Sequence, residues 1–206
     1  MKRYAQIAFV LSLAVGIVAC SPAPAPTQQA ASLPQPTSVE AYHPLSARTG
    51  IEEVDSVLDA LASGDARELR SLIQFTNAKC TRAEGLGGPP KCLAGETEGT
   101  PVEVLPFLGS EGGFLRKAEI DNWQGVDVSG VYALYEVSPD VLVEEYYPAG
   151  EYALMLVGKE SQSPVVLRLS AGRIVRVDYP AGDSPESLKA ALQREAGTLI
   201  LPPLNP

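Results

Sequence analysis

The sequence predicts an α+β fold: an N-terminal helical hairpin, an antiparallel β-meander, a C-terminal helix and one disulfide-closed loop. Three observations carry this. Residues 49–73 repeat apolar side chains at helical spacing behind two capping signals. From Val131 onward, short runs rich in Val, Leu and Tyr alternate with turn residues, which reads as strands joined by tight connections. Between these regions Cys80 and Cys92 bracket a loop of Gly and Pro in a chain that begins with an export leader.

The leader comes first in the chain. Lys2 and Arg3 precede an uncharged, mostly apolar run from Ala5 to Ala19, so residues 1–19 read as a signal peptide. The run is shorter than the ~20 apolar residues a membrane-spanning helix needs. It ends in Ile17-Val18-Ala19-Cys20, which resembles the lipobox of bacterial lipoproteins. The resemblance covers the leader alone. It implies cleavage before Cys20, lipidation of Cys20 with palmitate among its acyl chains, and attachment to a membrane through that lipid. An ordinary secretory leader cleaved nearby, or an uncleaved anchor, would export the chain equally well. Ser21, where Asp would signal retention, resembles the pattern for sorting to the outer membrane of a two-membrane bacterium. In another cell plan the anchor would hold the outer face of the cytoplasmic membrane. Each buried CH₂ contributes about 0.8 kcal/mol, and more than one chain makes such anchoring durable.

Residues 20–44 read as the lipidated Cys followed by a Pro/Ala-rich tether. Ser21 to Ser38 carries five prolines and no charge. Such a run cannot build a core and stays extended. At about 3.1 Å per residue, Ser21 to Pro44 reaches up to ~70 Å. The rest, residues 45–206, is one domain by length. The chain's formal charge is −9, and loss of Lys2 and Arg3 with the leader makes it two units more negative. Nucleic acid is thereby excluded as a partner, since phosphate contacts need Lys and Arg.

The first predicted helix starts at Thr49-Gly50-Ile51-Glu52, a capping box with Thr49 as cap and Glu52 answering it. Ile51, Val54, Val57, Leu58 and Leu61 fall on one face. Ser63-Gly64 ends this helix, with Gly64 suited to a left-handed cap. Asp65 and Glu68 form a second box, behind which Leu69, Leu72 and Ile73 line the next helix.

The loop from Cys80 to Cys92 admits three readings. A phosphate-binding loop fails because Lys91 follows Pro89 and Pro90, which lack backbone donors, and no Ser or Thr comes next. A zinc site wants four Cys or His ligands. With Cys20 lipidated, Cys80, Cys92 and the lone His43 fall short, so no metal or other cofactor is expected. A disulfide joining Cys80 to Cys92 fits compartment and parity. The block from this loop to Arg116 resembles stretches of uncharacterised exported bacterial proteins, which implies a shared domain and no activity.

The strand signals follow: "VYALYEV", "VLVEEYY", "YALMLVG", "VVLRLS" and "IVRVDY". In the last pair, a Ser170-Ala171-Gly172 loop sets Leu169 opposite Arg173, Leu167 opposite Val175 and Val165 opposite Val177, giving an apolar face. Arg168 and Arg176 then lie on the other face, in solvent. Ser184-Pro185 begins a last helix whose buried face is Leu188, Ala191 and Leu192, with Gly197 as its stop. An apolar tail ends the chain. This order, with the helices against one sheet face, resembles the cystatin-like or NTF2-like cone, in which a curved sheet wraps a helix.

Catalytic sets are missing. No histidine follows His43 to serve a Ser or Cys nucleophile. Ser110 lacks the flanking glycine of a nucleophile elbow. Glu136, Asp140, Glu144 and Glu145 cluster in sequence and could supply a carboxylate pair. Trp123, Tyr146 and Tyr147 could line a ligand surface. The reading that results is a membrane-anchored lipoprotein with a non-catalytic domain that binds an envelope protein or a small ligand. The alternatives are an NTF2-like small-ligand or enzymatic domain, and a structural component of the envelope.

Overall fold

The computed structural model describes residues 42–85, 87–109, 112–141, 145–160, 163–180 and 185–204. They belong to the compact unit Val39–Pro206. The leader, Cys20 and the tether up to residue 41 lie outside the described residues, as do Ser110, Glu144 and Ser184. No helix among the described residues is long and apolar enough to cross a membrane.

Helix α1 (Glu52–Ser63) buries Val54, Val57, Leu58, Ala60 and Leu61, the face its spacing dictates. Its cap differs from the expected box. Thr49 Oγ1 accepts the Ile51 N–H at 3.0 Å, but it is Asp55, one turn in, that accepts the Thr49 N–H at 2.8 Å. Glu52 is left exposed. Gly64 ends the helix at φ 69°, a conformation that costs glycine little. Helix α2 (Ala66–Ser71) is capped by Asp65, whose carboxylate accepts the Arg67 N–H at 2.8 Å. It is shorter than its sequence pattern, because Ile73 leaves the helix to bridge Ile174.

The strands are β1 (Thr76–Lys79), β2 (Pro101–Leu108), β3 (Gly113–Arg116), β4 (Val128–Val137), β5 (Tyr152–Gly158), β6 (Val165–Ser170), β7 (Arg173–Asp178) and β8 (Ala196–Leu201). They make one eight-stranded sheet in the order β1-β2-β7-β6-β5-β4-β8, with β3 paired to β2. A 3₁₀ turn, Lys117–Asn122, follows β3. Helix α3 (Pro185–Glu195) precedes β8.

Four expectations need correction. The sheet is mixed, since β2 meets β7 in parallel at Phe107–Val177 and Leu108–Asp178. The described part of "VLVEEYY" holds a turn and one bridge residue in place of a strand. The apolar tail begins as β8, so Gly197 lies in a strand and does not stop the helix. The helices also cover both faces of the sheet. Leu134, Leu154, Leu156 and Leu167 pack with Val54, Leu58 and Leu61 of α1. Ala133, Tyr135, Ala153, Met155 and Val166 pack with Leu188 and Ala191 of α3. A strand buried on both faces reads as a continuous apolar run, as "YALMLVG" does.

The β6–β7 hairpin also departs from its expected register. Ala171 and Gly172 both take positive φ, 47° and 71°, and form a two-residue turn of the kind that favours hairpins. Ser170 pairs with Arg173 and Leu169 with Ile174. A shift at Arg168/Leu169 then sets Arg168 opposite Arg176 and Leu167 opposite Val177. The irregularity restores the apolar face, which the bare two-residue turn would have lost.

Candidate functional site

Cys80 and Cys92 are joined, with Cα atoms 4.9 Å apart. The loop they close is braced at its base. Thr81 bridges Lys91, its N–H reaching Pro90 O at 2.8 Å. The Glu98 carboxylate accepts Thr81 Oγ1–H at 2.8 Å and the Arg82 N–H at 2.5 Å. Arg116 at the end of β3 forks onto Glu96 at 2.6 and 2.8 Å and donates to Lys91 O at 2.8 Å. Arg116 lowers the Glu96 pKa below its ordinary value, with help from the Leu93 N–H. The Arg82 N–H, then Thr81, does the same to Glu98.

Beneath this braced loop lies a cleft of about 400 Å³. Its loop wall is Gly87, Gly88, Pro89 and Lys91, and its floor includes Gly112, Phe114 and Tyr147. The Phe114 and Tyr147 rings are 5.2 Å apart. Gly112 is needed here on two counts: its φ is +67°, and a Cβ would stand 2.8 Å from Tyr147 Oη. Phe114 also borders a second hollow, of about 370 Å³, with Phe107, Asn122 and Trp123. Phe107 lies edge-on to Trp123 and stacked on Tyr179, each at 6.3 Å between centroids. The space between sheet and α1, by contrast, is filled by Leu58, Leu134, Leu154 and Leu167.

Among the described residues, Cys80 Sγ, Cys92 Sγ and Glu96 form the one trio of metal-type donors, within 4.8 Å of one another. Joined in a disulfide, the two sulfurs have no thiolate to offer. His43 Nε2 is taken by Pro202 O at 2.8 Å. Of the acids that cluster in sequence, Glu136 is exposed on β4 opposite Tyr152, while Asp140 and Glu145 are exposed in turns. Tyr146 is half-buried.

No family model, curated protein or solved structure matches the chain.

Arg168 and Arg176, which the sequence predicts to face solvent, are instead buried in a charge cluster. Arg168 is 3% exposed, Arg176 6% and Asp178 7%. Asp178 accepts Arg168 Nε at 2.7 Å and Arg176 Nε and Nη2 at 2.6 and 2.9 Å. Glu195, at the end of α3, pairs with the other side of Arg168 and takes the Tyr135 hydroxyl at 3.4 Å. Burial raises the Tyr135 pKa well above that of an ordinary phenol. Burial opposes the Arg168 charge, but Asp178, Tyr135 and Glu195 together raise its pKa. Two cations and two anions balance. Arg176 Nη1 also donates to Tyr147 O at 3.0 Å, which ties the cluster to the residue that backs Phe114 in the cleft. One signal could have located this cluster. Both faces of β5 are apolar, so a polar residue on either face of its neighbour β6 must be buried too.

Proposed function

We propose that the chain is an exported, lipid-anchored, non-catalytic domain that offers the cleft under the disulfide-closed loop to a ligand at the cell envelope. The observation that carries this reading is the cleft itself, whose loop wall is fixed by a disulfide and by the Arg116–Glu96 fork. A wall held this firmly is pre-organised, so little ordering entropy opposes binding. In the same reading α1 and α2 are a hairpin, and β4 to β7 are an antiparallel meander closed by α3. That frame presents the loop at its β2–β3 end. A cone-type interior pocket has less support, because leucines occupy the space it would need.

Two measurements test the proposal. Metabolic palmitate labelling should mark the wild type, and a Cys20→Ser variant should lose both label and membrane association. An unlabelled wild type would remove the anchor. For the cleft, detergent-solubilised full-length protein is screened by thermal shift against neutral, anionic and peptide probes. If no probe of any class stabilises it, the binding reading fails.

A further inference from the structure

We infer that the cleft and its neighbouring hollow take a neutral saccharide; this inference rests on the binding reading above. Each hollow falls within the range of small-molecule sites, about 300–1,000 Å³. They meet at Phe114, so together they suit an extended ligand of more than one ring.

Charge decides against an anion. Of the two cations on the cleft wall, Arg116 is paired with a carboxylate and Lys91 with a backbone carbonyl. Arg116 is neutralised by Glu96, and Lys91 Nζ donates to Ala83 O at 2.9 Å. Glu119, exposed on the same wall, adds negative charge, and the whole chain carries −9. The Lys91 ammonium keeps its charge, since a carbonyl is neutral, but the exposed Glu119 offsets it, so the wall has no net positive charge to draw a phosphate or carboxylate.

Aromatic geometry points to a sugar. Phe114 on one hollow, and Phe107 with Trp123 on the other, supply ring surface beside polar groups. A pyranose has a face of C–H bonds whose partial positive charge suits the negative face of an aromatic ring. Its hydroxyls need acceptors and donors at the margin. Glu119, the Asn122 amide and the backbone of Gly87, Gly88 and Gly113 lie there. Glycine lets a ligand approach that backbone closely. A proline-rich peptide would use the same rings but would want ring hydroxyls for its carbonyls. The Tyr147 hydroxyl is instead buried against Gly112.

Trp123 is the only tryptophan, so its fluorescence reports on the second hollow without a label. The experiment titrates detergent-solubilised full-length protein with chitotriose, cellotriose and maltotriose. Inorganic phosphate and a proline-rich decapeptide serve as comparison probes. The expected result is a saturable change with at least one trisaccharide, insensitive to salt. Phe114→Ala should weaken it about tenfold, which is the loss of one stacked ring. Glu119→Gln, at an exposed position where folding is not at risk, should weaken it about threefold through one hydrogen bond. Saturation by the peptide or by phosphate, with no response to any sugar, would overturn the saccharide assignment and leave the binding reading intact. Silence from every probe would overturn both. A sugar response unchanged in both variants would place the sugar elsewhere and also overturn the assignment.

Discussion

Asp178→Asn is the substitution that tests the buried charge cluster most directly. The change keeps shape and removes one charge. Asp178 accepts three hydrogen bonds from two guanidinium groups that are 3% and 6% exposed. Glu195 still faces Arg168 in the variant, but Arg176 loses the one carboxylate partner it has among the described residues. Breaking a buried pair and leaving a charge uncompensated costs about 3–5 kcal/mol. Against a total of roughly 5–15 kcal/mol this is a large fraction. With a urea m-value near ~2 kcal/mol/M, the midpoint should fall by about 2 M. The assay is urea unfolding with the disulfide intact, wild type beside variant. Glu103→Gln is the control, since it breaks the Lys117–Glu103 pair, whose side chains are 54% and 49% exposed. That change should shift stability by less than about 1 kcal/mol. If Asp178→Asn shifted the midpoint no more than the control, the cluster would have to be hydrated, and burial would be the wrong account of it.

Three further outcomes are expected. Cys92→Ser, or reductant on the wild type, should lower stability by roughly 3 kcal/mol, the loop-closure value for a ring of this size, and should weaken ligand affinity; equal melting curves for oxidised and reduced protein would refute this. Gly112→Ala should cost about 1–3 kcal/mol for a strained left-handed residue and should displace Tyr147, read as a drop in melting temperature with altered near-ultraviolet dichroism. Glu96 and Glu98 both have folded pKa values below the ordinary 4.5. Their contribution to the loop is therefore complete above that value and is lost as pH falls through the lowered ones, so amide-exchange protection of Leu93 and Arg82 should be flat above about pH 5 and fall in acid. Protection that instead fell as pH rose would reverse the assigned sign.

What the sequence made legible was whatever is local. The apolar stripe of α1, the glycine stop at Gly64 and the Asp65 cap are all written within a few residues of where they act. The disulfide followed from parity and compartment. What escaped depended on partners far along the chain. A residue in β6 looks solvent-facing until α3 is known to cover that face, and α3 begins fifteen residues after β6 ends. The β6–β7 register differs from the expected one because burial selects which face is apolar but not how the chain reaches it. An extra residue at Val175 satisfies the same constraint as a longer turn would. The cleft was visible only in part. The sequence marks its loop wall and Tyr147, and Trp123 of the neighbouring hollow, but Phe114 and Arg116 reach the cleft through β3, a strand of four residues with little pattern of its own.

The place where the described chain enters the sheet has a mechanical meaning. His43 is held to β4 by two backbone hydrogen bonds with Val131, at 2.9 and 2.8 Å, and its ring is held by Pro202 O. A pull on the N-terminal side of Tyr42 meets this fastening before anything else described in the domain. Two bonds give way far sooner than a ladder such as β4–β5. Such a pull would peel the chain ahead of α1 off the sheet first. The sheet order puts four ladders, about 19 Å at ~4.8 Å per ladder, between β4 and β2. A pull at that end would therefore act four ladders away from the β2 edge where the loop that walls the cleft is braced.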